Sequence, residues 1–262
     1  MIKYNVSGVI KSVDDDRDYK INKLIKTAVK LPDKYINPIT PIIFNQGNVG
    51  CCVGCSSAQI KHYIESKQTN DDKAFSPMYI YANRRDDDYH GSGMMPREAL
   101  KNLRDFGMCH YDEFPDFYEY DEAHQKYISN KEELDKDAYP YRISSFYRLD
   151  TTEEIKTAIY TMGYAFISYD VYECMFHPDE NGIVKYDPND KNVLGGHQLT
   201  VIGWNETGFI IVNSWGEDFG IGMNENNSKG GMFIIPYDYK PSECWAIVDE
   251  VTEKEISEKY GN

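Results

Sequence analysis

Three cysteines, Cys51, Cys52 and Cys55, fall within the stretch NQGNVGCCVGCSSAQIKHYIE from Asn45 to Glu65. Thiols this close together suit a nucleophile, a redox pair, a metal clip or small core residues. A cysteine attacks only as thiolate, and the first turn of a helix favours that anion. Cys52 stands where a helical pattern begins, after a turn that carries Gly47 and Gly50. A nucleophile there needs a base, and His197 in LGGHQLTVIGW opens a strand-like run. The base needs an orienting partner on its other nitrogen, and Asn213 in IIVNSWGEDFG ends the next such run. An oxyanion forming on an attacked carbonyl needs donors. The Cys52 backbone N–H is one, and the side-chain amide of Gln46, six residues upstream, is the other.

These groups must be carried by elements from opposite halves of the chain. From Cys52 to about residue 130 the pattern is helical, with Ser56, Ile60, Tyr63 and Ile64 on one face. SPMYIYANRR follows with Ser76 as N-cap and Pro77 in the first turn, and PREALKNLRDFG runs from Pro96 to Gly107. After the capped helix TTEEIKTAIYTMG come YAFISYDV, HQLTVIGW, GFIIVNSW, GGMFIIPY and CWAIVDEV, short β-branched and aromatic runs between turn residues. The expectation is an α+β protein of two lobes, a helical one over 39–140 and a β-rich one over 141–262, with a cleft between them. Residues 1–38 read as a separate unit. It holds an acidic run from Asp14 to Asp18, a short amphipathic piece INKLIKTAVKL, and the proline-spaced LPDKYINPITPI.

The 262 residues carry a formal charge of −15, with 43 acidic against 28 basic side chains. That balance argues against a nucleic-acid surface and against adhesion to an anionic membrane. No apolar run approaches the ~20 residues needed to cross a bilayer. MIKYNVSGVIKSVDDD lacks the apolar core of a secretory signal, so with Met1 as the natural start the expected location is the cytoplasm. There the cysteines are thiols, and the Asn-x-Ser/Thr triplets at Asn5, Asn205 and Asn226 carry little weight.

Q-G-x-x-G-x-C before a helix, G-H in a strand and N-S-W-G at a strand end together resemble the papain family of cysteine peptidases, in its bacterial and phage-type branch. The similarity extends through SPMYIYANR, HGSGMMPREALKNLRDFGMCHYDEFP, GGMFIIPYDY and CWAIV, and covers most of Gln46 to Val251. It implies a papain-like two-lobe fold with an antiparallel, barrel-like right lobe, and a peptide or protein as substrate. No metal or organic cofactor is implied. Cys52 would be the nucleophile, His197 the base and then the acid, Asn213 the orienter and Gln46 an oxyanion donor. Trp215 would shield the His–Asn hydrogen bond, with Phe219 as the second aromatic of that loop. Gly93 and Met94 would lie along the cleft, and Gly196 would support the histidine. There are departures. Val53 and Cys55 stand where the family has aromatics, Gly54 is a poor helix former, and Val49 replaces a cysteine that forms a disulfide. Cys51 fills a position usually held by serine. Together these lead us to expect looser packing under Cys52.

Other chemistries share parts of the pattern. Transamidation would use the same triad on an amine acceptor. Cys52-Val-Gly-Cys55 is the C-x-x-C of thiol–disulfide proteins, but no thioredoxin-like βαβ pattern precedes it. The same spacing suggests Cys55 as a trap for an oxidised Cys52. Cys51, Cys52 and Cys55 with Cys109 and His110 offer zinc ligands, though adjacent cysteines suit a metal poorly. The segment KLPDKYINP is the expected cover of the cleft.

Overall fold

The computed structural model describes residues 5–69, 72–222 and 230–261; the Asn226 triplet lies outside them. Among the described residues of the first half, five α-helices follow in order: α1 (Cys52–Thr69), α2 (Pro77–Ala82), α3 (Pro96–Asp105), α4 (Tyr120–Ser129) and α5 (Lys131–Ala138). The second half supplies β2 (Ser145–Arg148), α6 (Thr152–Met162), β3 (Ala165–Val171), β4 (Gly195–Trp204), β5 (Gly208–Val212), β6 (Met232–Pro236), β7 (Glu243–Val248) and α7 (Glu250–Tyr260). Its strands form one antiparallel sheet in the order β2-β7-β3-β4-β5-β6. The architecture is α+β, with the helices gathered in the first half and the antiparallel sheet in the second.

Local chemistry explains the element ends. Ser76 accepts from the Tyr79 N–H at 3.3 Å while Pro77 opens α2. Thr151 and Glu154 form a reciprocal capping box at the start of α6, which stops at Gly163 in the left-handed region. Helix α1 is buried on all sides from Cys52 to Ile64, because it packs on α2 across the helical lobe and on β4 of the sheet. This is the axis of the core, and it shows no loosening. Val53, Cys51 and Cys55 have no exposed surface. Gly54 has a specific use: a Cβ there would press far inside contact with the Pro77 carbonyl oxygen, so glycine sets the α1–α2 distance. Gly54→Ala is expected to destabilise the chain by about 3 kcal/mol through forced separation of the two helices. Urea titration measures it, and a shift below ~0.5 kcal/mol would show that the helices part freely.

Residues 5–38 are woven into the fold. Strand β1 (Tyr35–Ile36) adds to β4, with Tyr35 opposite Trp204 and Ile36 opposite Gly203. The stretch INKLIKTAVKL forms only one 3₁₀ turn, Ile21–Lys23, which buries Ile21, Leu24 and Ile25. Nucleating a longer helix is costly in so short a segment, and the β-branched Thr27 and Val29 oppose it further. The chain there is tied instead to the end of α7, where the Tyr260 carbonyl accepts from Lys26 N–H at 2.8 Å and Thr27 N–H at 3.1 Å.

Candidate active site

Cys52 is the first residue of α1, and its neighbour across the lobes is β4. The Gln198 N–H points at Cys52 Sγ from 3.4 Å, which puts His197 and the sulfur at the same level of the cleft. His197 Nε2 and Asn213 Oδ1 are 2.8 Å apart, joined from the adjacent antiparallel strands β4 and β5. With Nε2 committed, only Nδ1 is left for chemistry, and it is buried with no hydrogen-bond partner among the described residues. The Trp215 ring stacks on the imidazole with centroids 4.6 Å apart and planes 17° from parallel. Phe219 meets Trp215 edge-on at 5.0 Å, and Phe176 stacks on its other side at 5.3 Å.

Gln46 reaches the same cluster. Its backbone N–H donates to the Ser214 carbonyl at 2.9 Å, and its Oε1 accepts from the Ser214 hydroxyl at 2.5 Å. Its amide nitrogen donates one hydrogen to the Val49 carbonyl at 2.8 Å, which leaves one free to donate. Gln59, two turns along α1 from Cys52, donates from Nε2 to the Asn213 carbonyl and to the Ile42 carbonyl, each at 3.1 Å. Neither Ser214 nor Gln59 stands out in the sequence. The available signals are a hydroxyl inside N-S-W-G and one amide on an apolar helix.

A strap made of the chain's own N-terminal residues crosses this cluster. The Met94 N–H donates to the Gly8 carbonyl at 3.0 Å, and the Ile10 N–H donates to the Met94 carbonyl at 3.1 Å. On the opposite wall the Val9 N–H donates to the Gly196 carbonyl at 3.2 Å. Gly8 lies so near Cys52 that a Cβ would collide with the sulfur, and one on Gly93 would stand 2.6 Å from the Ser7 carbonyl oxygen. Further along, Ser12 N–H donates to Glu243 at 3.1 Å, and Arg97 forms an ion pair with Asp18. The covering residues are therefore 6–10. The segment 31–38 lies elsewhere, held by β1 at the Trp204 end of β4.

Burial beneath the strap sets the protonation states. It pushes the Cys52 thiol up to about 12, against a smaller opposing pull from the Gln198 N–H. The field of the α1 N-terminus does not offset that desolvation. Burial also lowers His197 to about 4, although the bond to Asn213 favours the cation. Above its ordinary 6.5 the imidazole is neutral folded or unfolded; below it the unfolded chain takes a proton that buried His197 refuses until about pH 4, so acid destabilises. Relative to His197→Gln, wild type should lose about 2 kcal/mol more stability between about pH 7 and pH 5. Urea titrations of both proteins at the two pH values measure this; equal losses would contradict a neutral buried imidazole.

The remaining thiols serve other contacts. Cys55 Sγ lies 3.9 Å from Cys51 Sγ, four residues earlier, while Cys52 Sγ accepts from the Gln198 N–H. All six cysteines are free. Among the described residues no group of three or more His, Cys, Asp or Glu side chains is arranged to hold a metal, and no helix is long and apolar enough to cross a membrane.

Residues 32–227 match the family described as papain family cysteine protease. A peptidase C1-like protein of Acanthamoeba polyphaga mimivirus, L477, is 27% identical over 95% of this chain and 88% of its own length. Among solved structures, xylellain, a cysteine protease from Xylella fastidiosa, superposes with a TM-score of 0.74 at 22% identity, covering 95% of this chain and 98% of that one. Procathepsin B S9 from Trypanosoma congolense gives 0.69 at 16% identity, covering 94% and 86%. The chain belongs to the papain family and is a cysteine peptidase, a hydrolase.

Proposed function

We propose that this peptidase cleaves internal peptide bonds through a thioester on Cys52. The observation that carries the reading is the meeting of three separate segments in one buried cluster, with Cys52 beneath the Gln198 N–H and His197 bonded to Asn213. The Cys52 sulfur attacks the peptide carbonyl carbon and gives its proton to His197 Nδ1. The tetrahedral oxyanion takes the Cys52 N–H and the spare Gln46 amide hydrogen. The C–N bond breaks as His197 returns the proton to the leaving amine. Water then attacks the thioester, His197 takes its proton, and breaking the C–S bond restores the thiol. Asn213 holds the imidazole in register throughout, and Trp215 keeps water from the His–Asn bond. Peptides and proteins are the substrates of this scheme.

Residues 6–10 belong to the same reading. We take them as a resident occupant that keeps the cleft shut, because Gly8 covers the sulfur and the strap uses backbone groups of both walls.

Reaction with a peptidyl epoxide, in wild type against Cys52→Ala, tests the function. Wild type is expected to incorporate one equivalent at Cys52 and to hydrolyse a fluorogenic peptide, with the variant doing neither. Equal labelling of both proteins, or a hydrolysing Cys52→Ala, would end the proposal.

A further inference from the structure

The cleft wall that faces Gly196 across the strap is the backbone at Gly93 and Met94, and one side chain holds it from behind. Arg84 lies two residues past the end of α2 and is 6% exposed. Its Nε donates to the Tyr81 carbonyl at 2.9 Å, Nη1 to the Tyr89 carbonyl at 2.6 Å, and Nη2 to the Gly93 carbonyl at 2.8 Å. The rings of Tyr81 and Tyr120 lie 4.9 and 4.1 Å from its central carbon. Burying a guanidinium is expensive unless its donors are used, and here all three nitrogens are spent on neutral carbonyl oxygens. Two of those, at Tyr89 and Gly93, bracket the loop that ends at the cleft.

The Gly93 carbonyl and the Met94 N–H belong to one peptide unit. In a planar trans unit they point in opposite directions. Fixing the oxygen from behind therefore aims the N–H forward, where it meets the Gly8 carbonyl at 3.0 Å. A hydrogen bond from a cation to the oxygen also polarises the amide and strengthens its N–H as a donor.

We propose that Arg84 is a positioning residue whose task is to aim the Met94 N–H into the cleft, where it grips the backbone carbonyl of whatever peptide lies there. In the closed chain that peptide is the strap; in the open chain it is the substrate. The substrate half rests on the peptidase reading above, and the strap half does not.

The test uses the full chain as wild type, Arg84→Met, Arg84→Lys and Asp18→Asn. Two rates are measured: alkylation of Cys52 by iodoacetamide, located by peptide mapping, and kcat/KM on a small peptide. Losing the aimed donor weakens the strap, so Arg84→Met is expected to alkylate about tenfold faster. Its kcat/KM should not follow, because the substrate loses the same donor; the ratio of kcat/KM to alkylation rate falls about tenfold. Asp18→Asn loosens the strap at its anchor on Arg97, away from Met94. It should raise both rates together and leave the ratio unchanged, as a general loosening would. Arg84→Lys keeps the charge and part of the donor set, and should fall between; it decides the matter alone if Arg84→Met does not fold. An unchanged ratio, or alkylation no faster than wild type, overturns the proposal. A wild type that alkylates at Cys52 yet hydrolyses nothing overturns the peptidase reading instead, and the alkylation rates still decide whether Arg84 governs the strap.

Discussion

Deleting residues 1–10 is expected to raise kcat/KM for a small peptide about a hundredfold. Three backbone hydrogen bonds hold the strap, one on Gly196 and two on Met94. At about 1 kcal/mol each they leave an open fraction on the order of 1%. Turnover scales with that fraction, so removing the occupant recovers its inverse. The deletion stops short of Ser12, whose bonds to Glu243 and to the Arg97 N–H help knit the two lobes. Gly8→Val reaches the same end in the full chain, because any Cβ at that position strikes the Cys52 sulfur. Both changes should lower the unfolding free energy by no more than the roughly 3 kcal/mol that the three strap bonds supply, with unfolding still a single cooperative transition in urea. If neither raises turnover, the strap is a structural edge and the closed state has another origin.

His197→Ala is expected to lower kcat by about 10⁴-fold, the upper range for loss of a positioned acid–base group. The imidazole has one nitrogen on Asn213 and one for the reaction, and among the neighbouring side chains described above none offers a second base. Asn213→Ala should cost less, about 10²-fold, since it removes the orienter while the Trp215 stack still holds the ring plane. Single-turnover assays on both variants, with alkylation of Cys52 as a check on the nucleophile, separate the two roles. A His197→Ala enzyme retaining more than about a hundredth of wild-type kcat would place the base elsewhere.

The two-lobe architecture was readable because its signals are local. Capping at Ser76 and Thr151 and the β-branched runs from β3 to β7 announce themselves within a few residues. Cys52, His197, Asn213 and Gln46 were singled out by short contexts, and all four are brought into one cluster. The strap was not legible at residues 6–10, because Val6 to Ile10 is an ordinary apolar run whose meaning comes only from the distant walls it pairs with. KLPDKYINP stands out instead, because its prolines mark extended chain, but they do not mark its destination. Cys55 looked like a partner for Cys52 by helical spacing, yet Cys51, sitting just outside the helix, is the thiol it meets. Arg84 is one of two adjacent arginines. What distinguishes it is burial between two tyrosines, a property of the fold and not of the dipeptide.

The strap is also covalently continuous with the clamp at Asp18 and with β1, and this has a consequence for how the closed state responds to its surroundings. A tethered occupant acts at an effective concentration set by its own linker, in the millimolar range for short links, not by the amount of protein present. Dilution leaves the closed fraction untouched, and a free peptide of the same sequence would need millimolar levels to replace it. On the proposed reading of residues 6–10 as the cleft's occupant, control over the cleft belongs to events that cut or displace the tether, and each molecule of the enzyme responds to them independently of its neighbours.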